Sequence, residues 1–86
     1  MHTAQFSKVA PTTTATEVVA AYRSRKQLSI RNVGTVDVYL GTSNAVTASN
    51  GYLLAAGETY DDADTGSAYY AITVSGTADL RVLEVK

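Results

Sequence analysis

Short runs in which apolar and polar residues alternate constrain the fold of this chain most strongly. Two such runs, residues 26–32 and 36–40, flank a turn segment centred on Gly34. Their apolar positions share one parity within each run, namely Leu28 and Ile30 in the first and Val36, Val38 and Leu40 in the second. Successive side chains of a strand point to opposite faces, so each run predicts a strand with one buried face. Gly34 accepts a positive φ at no steric cost, and the two runs together predict a β-hairpin.

A second pair of runs has the same form near the C-terminus. Residues 68–74 and 78–85 predict two strands around a turn at Gly76. The predicted buried parity of the first of these strands is Tyr70, Ile72 and Val74. This parity leaves Tyr69 facing outward. The last strand carries apolar residues on both parities, Leu80 and Val82 on one and Leu83 and Val85 on the other. Either a bulge shifts its register, or both of its faces are covered at this end.

The remaining segments complete an all-β pattern. Residues 16–23 are short for a helix and rich in valine, which favours a strand. Residues 41–51 are small and polar and predict a surface excursion, and Gly57 predicts a turn into a strand over residues 58–61. About six or seven short strands with regular turn signals predict a small antiparallel β-sandwich or barrel, of the jelly-roll or immunoglobulin-like kind.

The first sixteen residues differ from the rest. They contain the only proline, Pro11, followed by three threonines, and this composition favours an extended backbone. Residues 1–16 therefore predict an N-terminal arm and linker, and residues 17–86 predict the β-sandwich domain. The arm is either a mobile tail or a strand that pairs with something else. In both cases we expect the domain to fold without it.

The size and composition of the chain restrict how it can be stabilised. The sequence has 86 residues and no cysteine, so it predicts one domain with a modest core and no disulfide. Its only histidine, His2, does not suffice for a structural zinc site. Small domains often gain burial from neighbours, so we expect oligomerisation or docking on a larger partner. An unaided monomer is the alternative.

Charge and hydropathy exclude several classes of partner. The formal net charge is −1, and the basic residues are interspersed except for Arg23, Arg25 and Lys26. This distribution does not predict a nucleic-acid binder. No apolar run reaches the roughly 18 residues of a membrane-spanning helix. The first residues lack the apolar segment of a signal peptide, so we expect no Sec-dependent export.

The sequence predicts neither an enzyme nor a metal or cofactor site. A serine or threonine nucleophile needs a nearby base, and the only histidine lies at position 2. Residues 62–66 resemble the beginning of a calcium loop, but no glutamate follows at its twelfth position. A solvated turn is the expected structure there, and a single weak calcium site at an oligomer interface stays open.

Charged and aromatic side chains supply the candidates for a partner interface. The basic cluster either guards a sheet edge against aggregation or forms salt bridges with a partner subunit. Exposed tyrosines are frequent at protein interfaces and also stack on sugars. The candidate interface residues are Phe6, Arg23, Arg25, Arg31, Tyr39 and Tyr69.

Three quoted segments resemble a small β-domain found in structural proteins of tailed bacteriophages. They are "SRKQLSIRNVGTVDVYLG" at 24–41, "SNGYLLAAGETY" at 49–60 and "AYYAITVSGTADLRVLEV" at 68–85. The matching positions are Arg25, Lys26, Asn32, Gly34, Thr35, Tyr39, Gly41, Gly51, Leu54, Gly57, Glu58, Ala71, Ile72 and Gly76–Val85. The resemblance covers roughly residues 16–85 and leaves the first fifteen outside it.

This resemblance implies a virion structural protein, most like a head decoration or cement protein. It implies subunits that are made in the cytoplasm of the bacterial host and that assemble on the outer capsid surface. The implied partners are the major capsid protein and further copies of this chain, with a homotrimer favoured. A tail, fibre or head-fibre component is the first alternative. A small carbohydrate-binding module unrelated to a virion is the second.

Overall fold

Eight β-strands form two four-stranded antiparallel sheets. The computed structural model describes residues 3–63 and 66–86. The strands are β1 (Ala4–Val9), β2 (Thr16–Val19), β3 (Gln27–Asn32), β4 (Val38–Gly41), β5 (Tyr52–Leu54), β6 (Thr59–Ala63), β7 (Tyr69–Ile72) and β8 (Leu80–Val85). No described helix is long and apolar enough to span a membrane. His2, together with Asp64 and Thr65 of the calcium-loop-like segment, lies outside the described residues.

The strand order identifies the architecture. The first sheet has the order β1-β8-β3-β6, and the second has the order β2-β7-β4-β5. With the exception of β4 and β5, strands that follow one another in the chain lie in different sheets. This is the eight-stranded, two-sheet arrangement of a jelly roll. The prediction of an all-β sandwich is confirmed.

Neither predicted glycine-centred hairpin forms. Strand β3 lies in the first sheet and β4 in the second, and β7 and β8 are divided in the same way. Both turns are therefore arches that cross from one sheet to the other. Alternation predicts one buried face per strand, and that face reaches the same core whether the partner strand lies beside it or opposite it. The sequence pattern alone does not separate these two geometries.

The two arches lie side by side, and the absence of a side chain at Gly34 allows their close approach. The Val33 amide donates to the Asp79 carbonyl at 3.0 Å. A Cβ built on Gly34 would lie 3.2 Å from the Asp79 nitrogen. Gly34 is not among the glycines with positive φ, which are Gly57 and Gly76. The predicted reason for Gly34 was wrong, since the residue serves packing between arches.

The predicted parity of β7 was also wrong. Tyr69 and Ala71 are buried, whereas Val74 beyond the strand is 69% exposed. Ala71 lies opposite Leu40 of β4, and directly opposed residues of an antiparallel pair share one face. Because Leu40 faces the core, Ala71 does too. Every position of this strand has an apolar side chain, so periodicity could not select the face.

The core is a thin layer of mainly aliphatic side chains from the inner faces of both sheets. Its buried members are Val18, Val19, Leu28, Ile30, Val38, Leu40, Leu54, Tyr69, Ala71, Ala78, Leu80 and Val82. No described buried side-chain nitrogen or oxygen lacks a hydrogen-bond partner. The inner faces of the sheets therefore meet through apolar side chains, and the described buried polar groups are hydrogen-bonded.

The N-terminal segment is extended, and it belongs to the sandwich. Strand β1 pairs with β8 of the same chain along its whole length, from Ala4 opposite Val85 to Val9 opposite Leu80. Pro11 is fully buried beyond its end. The structure differs from both alternatives for this segment, because the strand pairs with β8 of its own chain. Removing it would expose β8 as a new edge, so we no longer expect the segment to be dispensable for folding.

Arg25 was predicted at a partner interface, and the structure buries it instead. Only 2% of the surface of Arg25 is exposed. The guanidinium Nε donates to Glu84 Oε2 at 2.9 Å, and its two terminal nitrogens donate to the carbonyls of Ser67 and Ala20 at 2.8 and 2.6 Å. A buried guanidinium needs a carboxylate and further acceptors, and Glu84 on β8 supplies the charge. The ion pair joins the segment before β3 to β8. The hydrogen bond to the Ser67 carbonyl joins the same segment to the one before β7.

Arg25→Met is expected to destabilise the chain by about 3–5 kcal/mol, because it leaves the Glu84 carboxylate buried without its partner. Chemical denaturation monitored by circular dichroism measures this change. Arg23→Met is the matched control, and we expect a change within about 0.5 kcal/mol because Arg23 is exposed. The double variant Arg25→Met with Glu84→Leu should be more stable than Arg25→Met alone. Equal stability of Arg25→Met and Arg23→Met would contradict the prediction.

Candidate functional site

The outer face of the first sheet brings together side chains from four strands. The register places Phe6 opposite Leu83, and Leu83 opposite Ser29. Two residues further along each strand, Lys8 lies opposite Arg81, and Arg81 lies opposite Arg31. We call Phe6 and Leu83 the apolar pair, and we call Lys8, Arg81 and Arg31 the basic row. The two groups are adjacent because residues two apart in a strand share a face.

A groove of about 570 Å³ lies over these groups. The lining residues are Phe6, Ser7, Lys8, Ser29, Arg31, Thr59, Arg81, Val82 and Leu83. We call this surface the docking face. Strand β8 pairs with β1 and β3 without a register shift, so no bulge explains its apolar outer residues. Leu83 and Val85 instead point outward and are half-buried between their neighbours, so they are neither displaced by a bulge nor fully covered.

The basic row concentrates positive charge. Like charges directly opposite each other in a sheet are unfavourable. Asp79 offsets part of this cost, since its carboxylate accepts hydrogen bonds from Arg81 Nε at 3.1 Å and from Arg81 Nη2 at 3.3 Å. The hydrogen bond from Arg81 holds the pKa of Asp79 below its ordinary value, and the charge of Lys8 adds to the effect. The row keeps a net positive charge toward solvent.

Strand β1 is unusually exposed for a sheet strand. Five of its six residues are exposed, on both of its faces, and Phe6 is 79% exposed. Its outer edge pairs with no strand among residues 3–63 and 66–86, because β1 ends the first sheet. Open edges of this kind are templates for pairing with another chain.

The six residues predicted for a partner interface do not form one site. Phe6 and Arg31 lie together on the docking face. Tyr39 is half-buried on the opposite sheet, and Arg23 is exposed in the segment between β2 and β3. Arg25 and Tyr69 are buried within the chain.

Sequence reasoning missed seven of the nine residues that line the docking face, among them Lys8, Arg81 and Leu83. Leu83 carried a signal, because it is a large apolar residue on the outward parity of β8. Lys8 and Arg81 carried none that was visible before the pairing of β1 with β8 was known.

A second cluster lies where the edges β5 and β6 meet. The ring centroids of Tyr52 and Tyr60 are 5.7 Å apart, and those of Tyr60 and Tyr69 are 5.6 Å apart. The Tyr69 hydroxyl donates to Asp62 Oδ2 at 2.6 Å and lies 3.2 Å from the Tyr60 hydroxyl. This explains why Tyr69 turns inward, since its hydroxyl finds partners at the rim of the core. Tyr52 is 64% exposed at the outer end of the cluster.

Within residues 3–63 and 66–86, no group of three or more histidine, cysteine, aspartate or glutamate side chains is placed to hold a metal ion. The described polar clusters include ion pairs, hydrogen-bonded tyrosines and the hydrogen bonds of Asn32. The absence of an enzymatic activity stays a prediction.

The comparisons with known proteins concern the fold. No protein-family model and no curated protein sequence matches this chain. A crystal structure of a protein from Neisseria meningitidis is similar with a TM-score of 0.64, at 12% identity over 96% of this chain and 74% of that one.

Two further solved structures are similar. A dTDP-4-dehydrorhamnose 3,5-epimerase from Bacillus anthracis has a TM-score of 0.56 at 15% identity over 95% of this chain, which spans about half (51%) of the epimerase. A subunit of Bacillus endospore appendages, which form disulfide-linked pili, has a TM-score of 0.53 at 10% identity over 99% of this chain and 85% of that one. At these identities the likeness shows a shared fold.

The tyrosine cluster predicts a loss of stability at alkaline pH. Burial raises the pKa of Tyr69 well above its ordinary value of 10.0, and the hydrogen bond with Asp62 raises it further. The folded state therefore keeps a proton that the unfolded state releases above about pH 10. This contribution to stability is fully present below that pH and is lost as the pH rises.

We expect the free energy of unfolding to fall more steeply above about pH 10 for the wild type than for Tyr69→Phe. Urea unfolding at a series of pH values measures the two slopes. Tyr22→Phe, which removes an exposed phenol, should keep the wild-type slope. Equal slopes for the wild type and Tyr69→Phe would contradict the assignment.

Proposed function

We propose that this chain is a structural, non-catalytic binding protein of a bacteriophage virion, and that it acts as a capsid decoration protein. The docking face carries the proposal. It combines a groove of about 570 Å³, an exposed phenylalanine and an open sheet edge on one side of the molecule. Such a surface offers apolar area, charge and backbone hydrogen-bonding groups to a protein partner.

The fold supports an assembly role. Jelly rolls are a common architecture of viral capsid domains. The similar Bacillus subunit forms pili, so a related fold serves as a building unit there. Those pili are disulfide-linked, whereas the 86 residues of this chain include no cysteine, so these residues would assemble without disulfides.

The partners in this proposal are the major capsid protein and further copies of the chain, with a homotrimer favoured. Oligomerisation would add burial to a small core. Many symmetric copies bound to one shell also make individually weak contacts collectively strong. The copies would be made in the bacterial cytoplasm and would reside on the outer capsid surface.

The decoration role predicts a high copy number in purified particles. We expect between about one third of the number of major capsid subunits and an equal number, because a decoration protein follows the symmetry of the shell. Quantitative mass spectrometry with isotope-labelled peptides of both proteins measures this ratio. A few to a dozen copies would place the chain in the tail, a fibre or a vertex, and absence from particles would overturn both virion roles.

The tyrosine cluster favours carbohydrate binding as a second candidate function. Tyr52 exposes a ring that packs against Tyr60 at a tilt of 59°, and Glu58 lines the same small groove. Asp62 lies at the inner end of the cluster, where it accepts the hydrogen bond of Tyr69. Aromatic faces and carboxylates are groups that bind sugars. This role predicts a sugar-dependent rise in melting temperature that is lost in Tyr52→Ala. A glycan-array screen followed by thermal shift tests it, and a signal that persists in Tyr52→Ala would contradict it.

A further inference from the structure

The two edges of the first sheet complement each other in charge. At one edge, β1 carries Lys8 beside the other cations of the basic row. At the other edge, β6 carries Asp61 on the same outer face and has no cation in its sequence TYDDA. Neither edge pairs with a further strand in the part of the chain that the structure describes. The edges of the second sheet are shorter, with four residues in β2 and three in β5.

The strand directions allow these edges to join. Each neighbouring pair in the order β1-β8-β3-β6 is antiparallel. The directions therefore alternate, and β6 runs opposite to β1. A second copy in the same orientation can place its β1 antiparallel against β6 of the first, so the sheet continues from one copy into the next.

The side chains favour one register for this junction. Within one copy, Phe6, Leu83, Ser29 and Asp61 form one row across the sheet. Moving the incoming β1 by two residues keeps its side chains on the same face. Lys8 of the incoming copy then lies opposite Asp61, and its Phe6 lies opposite Ala63. This register pairs opposite charges and covers the exposed phenyl ring with an apolar neighbour.

Charge also disfavours the symmetric pairings that are centred on the charged residues. A β1–β1 pairing centred on Lys8 would place the two basic rows in one line, and a β6–β6 pairing centred on Asp61 would place two Asp61 side chains opposite each other. Like charges at such positions are repulsive. The complementary junction uses different surfaces on the two copies, so it produces a closed ring or an open filament according to the rotation per copy.

We propose that this chain self-associates by pairing β1 of one copy with β6 of the next, with Lys8 opposite Asp61. The junction deepens the proposed function, because it specifies how the copies contact each other, and it does not depend on a location in the virion.

A charge-reversal experiment on the full chain tests the junction. Sedimentation velocity over a concentration series gives the association constant of the wild type. Lys8→Glu and Asp61→Lys should each associate at least about tenfold more weakly, since each replaces attraction by repulsion. An equimolar mixture of the two variants should recover association, because each variant then meets an edge of opposite charge. Lys26→Glu makes the same charge change at an exposed position outside β1 and β6 and should associate like the wild type.

Three outcomes would overturn the proposal. They are a monomeric wild type at concentrations up to about 1 mM, single variants that associate like the wild type, and a mixture that associates no better than either variant alone. Amide chemical shifts of the labelled wild type provide a measurement independent of variant folding. Their concentration-dependent changes should cluster in β1 and β6, and changes confined to other strands would also overturn it. Low copy number in particles, in contrast, would affect only the proposed function.

Discussion

The side chain of Asn32 fixes the end of the sandwich where the sheets exchange strands. Its Nδ2 donates to the carbonyls of Val36 and Leu54 at 2.8 and 3.1 Å, and its Oδ1 accepts from the Gly34 amide at 3.1 Å. Its own amide and carbonyl bond to Glu58 and Gly57 in the connection between β5 and β6. One buried residue thus joins two separate crossings between the sheets. Buried polar groups that are fully hydrogen-bonded specify a single arrangement, and their loss leaves several groups without partners.

The ion pair of Arg25 and Glu84 has the same role at the opposite end of β3. A thin aliphatic core between these two fixed ends needs no disulfide to set the positions of the sheets. Strand β1 lies outside this arrangement, because both of its faces are largely exposed and only β8 pairs with it. The least supported strand of the sandwich is therefore the one with the open edge and the exposed Phe6. The low local stability expected for β1 and its large exposed surface have the same cause, because this strand makes few buried contacts.

The sequence predicted the strands better than their partners. Alternation located the buried faces of β3, β4 and the first half of β8, because a single apolar parity leaves no other choice. It failed for β7, where every side chain is apolar, and for the arches, because partner choice depends on contacts distant in the chain. The sequence placed Arg25 at a partner interface because Arg23 and Lys26 lie close to it in the chain and suggest an exposed basic cluster. A signal was present in β8, where Glu84 shares the inward parity of Leu80 and Val82 and therefore requires a buried cation.

The positions that carry the resemblance to the phage domain mostly perform structural tasks. Arg25, Asn32, Gly34 and Glu84 lie at buried hydrogen bonds or close backbone contacts. These tasks constrain the residue type tightly, so such positions specify the fold and carry no information about a binding partner. Phe6 and Lys8, in contrast, lie in the segment outside the resemblance and on the most exposed strand. A change at these two positions leaves the core and both fixed ends intact while it alters the shape and charge of the docking face. In the proposed function, partner choice could therefore change on β1 without altering the packing of the core.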